Sequence, residues 1–286
     1  MASDGQKGRA HRIMEGTRLW DISHDERVGR LLVATQDIQP GEIVLEDTCL
    51  IEAPDGYPVC FGCLGAVDGR YSCPSCAWPC CGATECSQAP VHQLECAMYR
   101  ENSLVPVMRS YSQPHTMYAM VAMVRMMILK QEDPARYQVI EELMDHWEER
   151  AQDKRVSDMV KYMAAFCRKK LSLDWVKDED VQHAFGVLKT NGVGHINPNG
   201  SKVCFLYPTV SLMSHSCAAN LEIVDSPARS VKFVAKRQIG KGDELTWRCF
   251  LCLTTVCHFI LSSFKLYKFP TSSAQHSGEI ITNLAV

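Results

Sequence analysis

A chain of 286 residues can bury the core of one large domain or of two modest ones. Apolar residues make up 46% and charged residues 22%, a globular composition that argues against disorder. A formal net charge of -3 argues against a grip on nucleic acid by the whole surface and leaves room for a local patch, for example around Arg168, Lys169 and Lys170.

The first predicted elements are strands. Leu31–Ala34 (LLVA) and Ile43–Ile51 (IVLEDTCLI) flank Gln39-Pro40-Gly41, whose Pro-Gly pair suits the reversal of an antiparallel meander. A block from Cys60 to Cys96 follows, with little apolar periodicity, as in small modules where metal replaces a core. From about Pro114 to Lys189 the pattern is helical. Ile140, Leu143, Met144 and Trp147 fall at helical spacing, as do Val156, Met159, Val160 and Met163. Val181, Ala184, Phe185 and Leu188 repeat it before Asn191-Gly192 stops the helix. The segment Met117–Leu129 is apolar almost all round. It is too short, and too interrupted by Arg125, to span a bilayer, which takes ~20 apolar residues, so a buried core helix is expected.

Strands return at Val203–Tyr207, Asn220–Val224 and Val231–Ala235. The order strands, Cys-rich block, helices, strands predicts an α+β domain whose sheet is assembled from both ends of the chain. From Phe250 the sequence begins apolar and drifts into polar, pattern-poor residues, which reads as a poorly ordered tail; no membrane span is expected.

Eight of the fifteen cysteines lie between Cys60 and Cys96. Met1–Ala10 is polar and lacks the apolar stretch of a secretory signal, so these thiols are expected to bind metal in a reducing compartment, cytoplasmic or nuclear. The spacing is Cys60-x2-Cys63-x9-Cys73-x2-Cys76-x4-Cys81-x4-Cys86-x5-His92-x3-Cys96. A CxxC pair lets two thiolates reach one ion from a tight turn, and His92 and Cys96 point the same way from one helical turn. Eight ligands make two closed tetrahedral sites with no open position for a catalytic water, which is the pattern of structural zinc. Cys80, next to Cys81, has the chemistry to replace it.

This spacing resembles the MYND finger, in which the first and third ligand pairs share one zinc and the second and fourth share the other. The resemblance implies Cys60, Cys63, Cys81 and Cys86 around one ion, and Cys73, Cys76, His92 and Cys96 around the second. The usual pattern has three residues inside the third pair and seven before the histidine, where this chain has four and five. The flanks resemble a SET domain, the fold of lysine methyltransferases. Val28–Leu45 (VGRLLVATQDIQPGEIVL) is similar to its opening, Tyr207–Leu221 (YPTVSLMSHSCAANL) to its YPxxSLLNHSCxPN segment, and Gly240–Trp247 (GKGDELTW) to its GEELT segment. A SET domain interrupted by a MYND finger and a helical insert is the organisation of the SMYD family. The implied division is an N-terminal SET part at 1–52, the finger at 57–98, a helical insert at 99–185, a C-terminal SET part at 186–249 and a tail outside the family pattern at 250–286.

The resemblance implies methyl transfer from S-adenosylmethionine to a protein lysine, with histone among the candidate substrates and short partner peptides at the finger. Gly29 and Arg30 would form the cofactor turn, Asn191 would reach the cofactor, and Ser214 and His215 would line its pocket. On their own chemistry, Asn191 equally suits a helix C-cap, His215 a packed core and Arg30 a solvated turn. Three departures stand out. The second glycine of the family's GxG turn is Leu31, the asparagine of NHSC is Ser214, and the tyrosine facing the transfer channel is Cys249, whose thiol is a weak donor. Cys249, Cys252 and Cys257 have the wrong spacing for the family's third zinc, which would leave Cys217 without its usual partners. The expectation is a SMYD-type methyltransferase with weak or no activity in this form. The alternative is an interaction module that uses the SET portion as scaffold.

Overall fold

The computed structural model describes residues 18–26, 28–224 and 229–248. Strands β1 (Trp20–Asp25) and β2 (Gly29–Ala34) form an antiparallel hairpin, with Asp25 opposite Gly29. Then come β3 (Ile43–Thr48) and β4 (Ile51–Pro54). The Cys-rich block holds β5 (Tyr71–Ser72), β6 (Pro79–Cys80), α1 (Thr84–Ser87) and α2 (Pro90–Glu101). Five helices follow: α3 (Thr116–Glu132), α4 (Pro134–Glu141), α5 (Trp147–Arg150), α6 (Lys154–Lys170) and α7 (Asp178–Asn191). The last strands are β7 (Val193–Ile196), β8 (Lys202–Leu206), β9 (Ser214–His215), β10 (Leu221–Val224), β11 (Ser230–Ala235) and β12 (Thr246–Trp247), with a 3-10 turn at Val210–Leu212.

The sheets join the two ends of the chain. One has the order β10-β11-β3 and another β4-β8-β7, so β3 and β4 each complete a sheet built from residues beyond 190. This is the α+β arrangement expected of the sequence. The meander expected between Leu31–Ala34 and Ile43–Ile51 does not form. β2 pairs with β1, and its other edge meets the 242–245 segment through Ala34 N–H to Asp243 O (2.9 Å) and Leu245 N–H to Leu32 O (2.8 Å). The run Ile43–Ile51 is also two strands rather than one. Cys49 N–H donates to Arg229 O (2.9 Å) and Leu50 N–H to Leu206 O (2.8 Å), so successive residues hand the chain from one sheet to the other.

Two cores result. The sheets enclose Leu32, Ile38, Phe233 and Leu245. The helices and the Cys-rich block share a second core, which buries Met120, Met123, Met126 and Met127 of α3 together with Phe61, Trp78 and Tyr99. Trp78 stacks on Tyr99 at 4.5 Å and donates its indole N–H to Leu104 O (2.8 Å). Such aromatic pairs add about 0.5–1.5 kcal/mol beyond area burial. The finger is therefore a wall of the helical core rather than an appendage.

α6 and α7 bury the expected faces, Val156, Val160 and Met163 on one and Val181, Ala184 and Phe185 on the other. The run Ile140–Trp147 does not make one helix. α4 ends at Glu141, His146 takes a left-handed conformation (φ 51°), and α5 starts at Trp147. The bend lets Asp145 lie against Gly186, where a β-carbon would come within 2.5 Å of the Asp145 carbonyl oxygen. Among the described residues no helix is long and apolar enough to cross a membrane.

Candidate metal centres and cofactor turn

The finger is built from two turns of the same design. Leu64 N–H donates to Cys60 O (2.7 Å) and Ala77 N–H to Cys73 O (2.9 Å), which curls each CxxC pair so that its two thiols join one group of ligand atoms. Leu64 and Ala77, each just past the second cysteine, take the left-handed conformation that lets the chain leave (φ 58° and 61°). Cys81 follows β6, Cys86 lies on α1, and His92 and Cys96 are one turn apart on the buried side of α2. Gly62 brings the first turn onto α1, since a β-carbon there would sit 2.4 Å from the Cys86 carbonyl oxygen.

These elements collect two sets of ligand atoms, Cys60, Cys63, Cys81 and Cys86 in one and Cys73, Cys76, His92 and Cys96 in the other, each set within 4.8 Å. Zinc with Zn–S bonds of about 2.3 Å needs sulfurs about 3.8 Å apart at the corners of a tetrahedron. The Cys63 and Cys81 sulfurs are 3.9 Å apart, the Cys73 and Cys96 sulfurs 3.8 Å, and Cys76 Sγ lies 3.7 Å from His92 Nε2. The donor set and the spacing both fit a tetrahedral zinc ion in each group. Cys80 belongs to neither; its thiol is buried beside Cys60 and Val67.

The residues implied for the cofactor come from distant segments. Gly29 begins β2 in a left-handed conformation (φ 78°), with the Met144 side chain 3.8 Å from where its β-carbon would be. The Arg30 guanidinium donates to Glu142 Oε2 (3.0 Å) and also to the Glu142 carbonyl. Asn191 donates its side-chain amide to Met144 O (3.0 Å) and to Val187 O (3.1 Å), so it closes the α7 end as a cap and ties it to the same loop. Three of the five thus meet the loop between α4 and α5. Arg150 and His183 brace that loop, the first donating Nε–H to Asp145 O (2.9 Å) and the second placing Nδ1 2.7 Å from Asp145 Oδ2.

Ser214 and His215 form β9, which pairs in parallel with Thr246 and Trp247. His215 is exposed, not packed in the core. The 243–247 segment runs antiparallel to β2, from Asp243 beside Ala34 to Leu245 beside Leu32, and so leads β9 toward the Gly29 end of that strand. Asn220 ties the crossing, donating to Glu244 O (2.8 Å) and accepting from Thr246 N–H (2.8 Å). Asp47 on β3 anchors the approach by accepting the N–H groups of Thr209 (2.7 Å) and Val210 (3.1 Å). Burial pushes the Asp47 carboxyl above the usual range, although these backbone donors pull against it. Cys249, Cys252 and Cys257 lie outside the described residues.

Sequence reasoning missed the Glu142–His146 loop, because its importance lies in contacts with residues far along the chain. It also missed the partners of Arg125, which were signalled only by one charge in an apolar helix.

The chain belongs to the SET-domain family, whose model matches residues 29–249. It is similar to the SET domain-containing protein SmydA-8 of Drosophila melanogaster, with 25% identity to isoform A over 79% of this chain and 49% of that protein. Isoform B is 22% identical over 79% of this chain and 50% of its own length. With a Cys-rich finger set between its SET segments, the organisation is of the SMYD type. The chain spans about half the length of the curated relatives it matches. Among solved structures, the SET domain of LSMT bound to lysine and AdoHcy superposes with a TM-score of 0.46 and 12% identity, over 84% of this chain and 51% of that one. Rubisco LSMT bound to AdoMet gives 0.47 and 12%, over 82% and 49%.

Proposed function

We propose that this protein is a SMYD-type protein-lysine methyltransferase with two structural zinc centres, working in the cytoplasm or nucleus on a protein lysine, histone lysines among them. The observation that supports it most is the convergence of Gly29, Arg30 and Asn191, from the two ends of a SET domain, on the loop at Glu142–Met144. S-adenosylmethionine would supply an electrophilic methyl group. The half-buried turn at Gly29 would offer backbone, Asn191 its amide oxygen, and the Ser214–His215 strand further polar groups to hold it. A substrate lysine must be neutral to attack, although its free pKa is ~10.4, so the site must also desolvate the amine.

The family's tyrosine position is Cys249, which supports weak transfer by this form and keeps open a second reading, a finger that captures short peptides on a SET scaffold. Calorimetric titration with S-adenosylmethionine tests the proposal. Binding that Arg30→Ala and Asn191→Ala both weaken supports it, and absence of binding by the folded, zinc-loaded chain overturns it. Robust methyl transfer to histone or bulk protein lysines would remove the second reading.

A further inference from the structure

The middle of helix α3, from Met123 to Ile128, is buried all round, and Arg125 lies within it at 6% exposure. A guanidinium there must find partners for its donors or cost several kcal/mol. It donates to both oxygens of Glu95, Nε to Oε2 at 2.8 Å and a terminal nitrogen to Oε1 at 2.5 Å. It also donates to the carbonyls of Glu52 and of Phe61, the latter at 3.3 Å. Phe61 sits inside the Cys60–Cys63 turn of the all-cysteine group. Glu95 is fully buried on α2, between His92 and Cys96 of the other group. One arginine of the helical insert therefore grips a residue beside each ligand set, Phe61 next to Cys60 and Glu95 next to Cys96.

The histidine shows what Glu95 is placed to do. His92 is 3% exposed and turns Nε2 toward its fellow ligands, 3.7 Å from Cys76 Sγ. Its other nitrogen, Nδ1, is buried without a hydrogen-bond partner. Glu95 Oε1 lies 3.6 Å from it, just outside hydrogen-bond reach. A ligating histidine ordinarily gives its second N–H to a carboxylate or carbonyl, which fixes the ring's orientation and tautomer.

We propose that Glu95 and Arg125 are positioning residues of the finger. Glu95 accepts the Nδ1–H of His92 when Nε2 holds zinc, and Arg125 links retention of the two ions by gripping Glu95 and the Phe61 carbonyl together. This rests on the reading of the two groups as zinc sites. An apolar residue at 125 would fill the same helix position at less desolvation cost. The buried charge instead orders two sites at once.

Chelator-driven release from the full zinc-loaded chain, and NMR of its cadmium-substituted form, test the proposal. The all-sulfur site and the site with one nitrogen give separate cadmium resonances. Glu95→Gln is expected to lower affinity about 10–100-fold at the histidine site alone. Arg125→Lys keeps the charge but loses the fork, and is expected to speed release from both sites. In a His92→Cys background, which has no ring N–H to orient, Glu95→Gln should change nothing. Should Glu95→Gln fail to fold, Glu95→Asp keeps the charge while withdrawing the carboxylate, and is expected to loosen the same site. Unchanged release in the Glu95 variants, equal loosening of both sites by Glu95→Gln, or an effect that persists in His92→Cys would overturn the proposal. Wild-type protein holding fewer than two metal ions would instead overturn the reading of the sites.

Discussion

At Gly62 the absence of a β-carbon decides whether the first CxxC turn can close on α1. The backbone of Cys86 stands 2.4 Å from where a side chain would start, and a main-chain carbonyl cannot swing aside as a side chain would. Gly62→Ala is expected to cost about 1–3 kcal/mol by overpacking and to loosen the all-cysteine site. Gly194→Ala, where nothing lies within 4 Å of the added carbon, is the matched control and should hold its melting temperature. The ligand residues differ in the same way. Cys73→Ala should reduce zinc content from two to one per chain by elemental analysis, whereas Cys80→Ala should leave it at two, because Cys80 lies in neither group. The ligand pairs were legible in the sequence because each is set by a spacing of a few residues, and their division into two groups followed from the resemblance to the MYND finger. The demand at Gly62 was not legible, since the residue that makes it is on another element.

Elements repeat this contrast between local and distant causes. The faces of α6 and α7 were readable from periodicity because the core covers one side of each. The spacing of Ile140, Leu143, Met144 and Trp147 was equally helical, but the chain breaks there at the left-handed His146 and lays Asp145 against Gly186. Gly192 stops α7 as expected, though not through a left-handed turn. Its φ is -67°, and what it provides is room, with Leu188 O 2.4 Å and Cys204 Sγ 2.7 Å from a β-carbon position. Asp47 is the strand residue whose distant work matters most for the site, because it holds the turn leading to Ser214 and His215. Asp47→Ala removes this acceptor from two backbone N–H groups and should cost about 1–3 kcal/mol in urea unfolding. It should also weaken S-adenosylmethionine binding measured by calorimetry. Asp47→Asn, which keeps an acceptor oxygen, should retain most of both.

Across the whole molecule, the finger and the helices share one core, so metal removal should be felt beyond the ligands. Structural zinc contributes ~10–16 kcal/mol in small modules, more than the total stability of most domains. Trp78, 1% exposed and stacked on Tyr99, is a reporter inside that shared core. Chelation is expected to shift tryptophan emission to the red, and most of that change should vanish in Trp78→Phe. For activity the determinant proposed is the chain after Arg248. Tyrosine at position 249 alone should recover little methyl transfer, while replacing everything after Arg248 with a family-type tyrosine and C-x-C-x2-C segment should recover it. The α+β class was legible at this scale from the order of elements alone. The pairing was not, because hydrophobic pattern says that Ile43–Ile51 is buried and extended but not that two sheets divide it.

That division has a consequence for synthesis. β3 is complete at Thr48, yet its partner β11 ends at Ala235, and β4 waits for β8 at Lys202–Leu206. At ~5–20 residues per second a ribosome takes roughly ten to forty seconds to bridge such a gap. During that interval the finger and the helical insert, whose contacts are more local, can fold around their metal while two nascent strands present unpaired edges. The supply of zinc to the emerging chain would then decide whether those strands find a finished helical core to rest on or another chain to pair with.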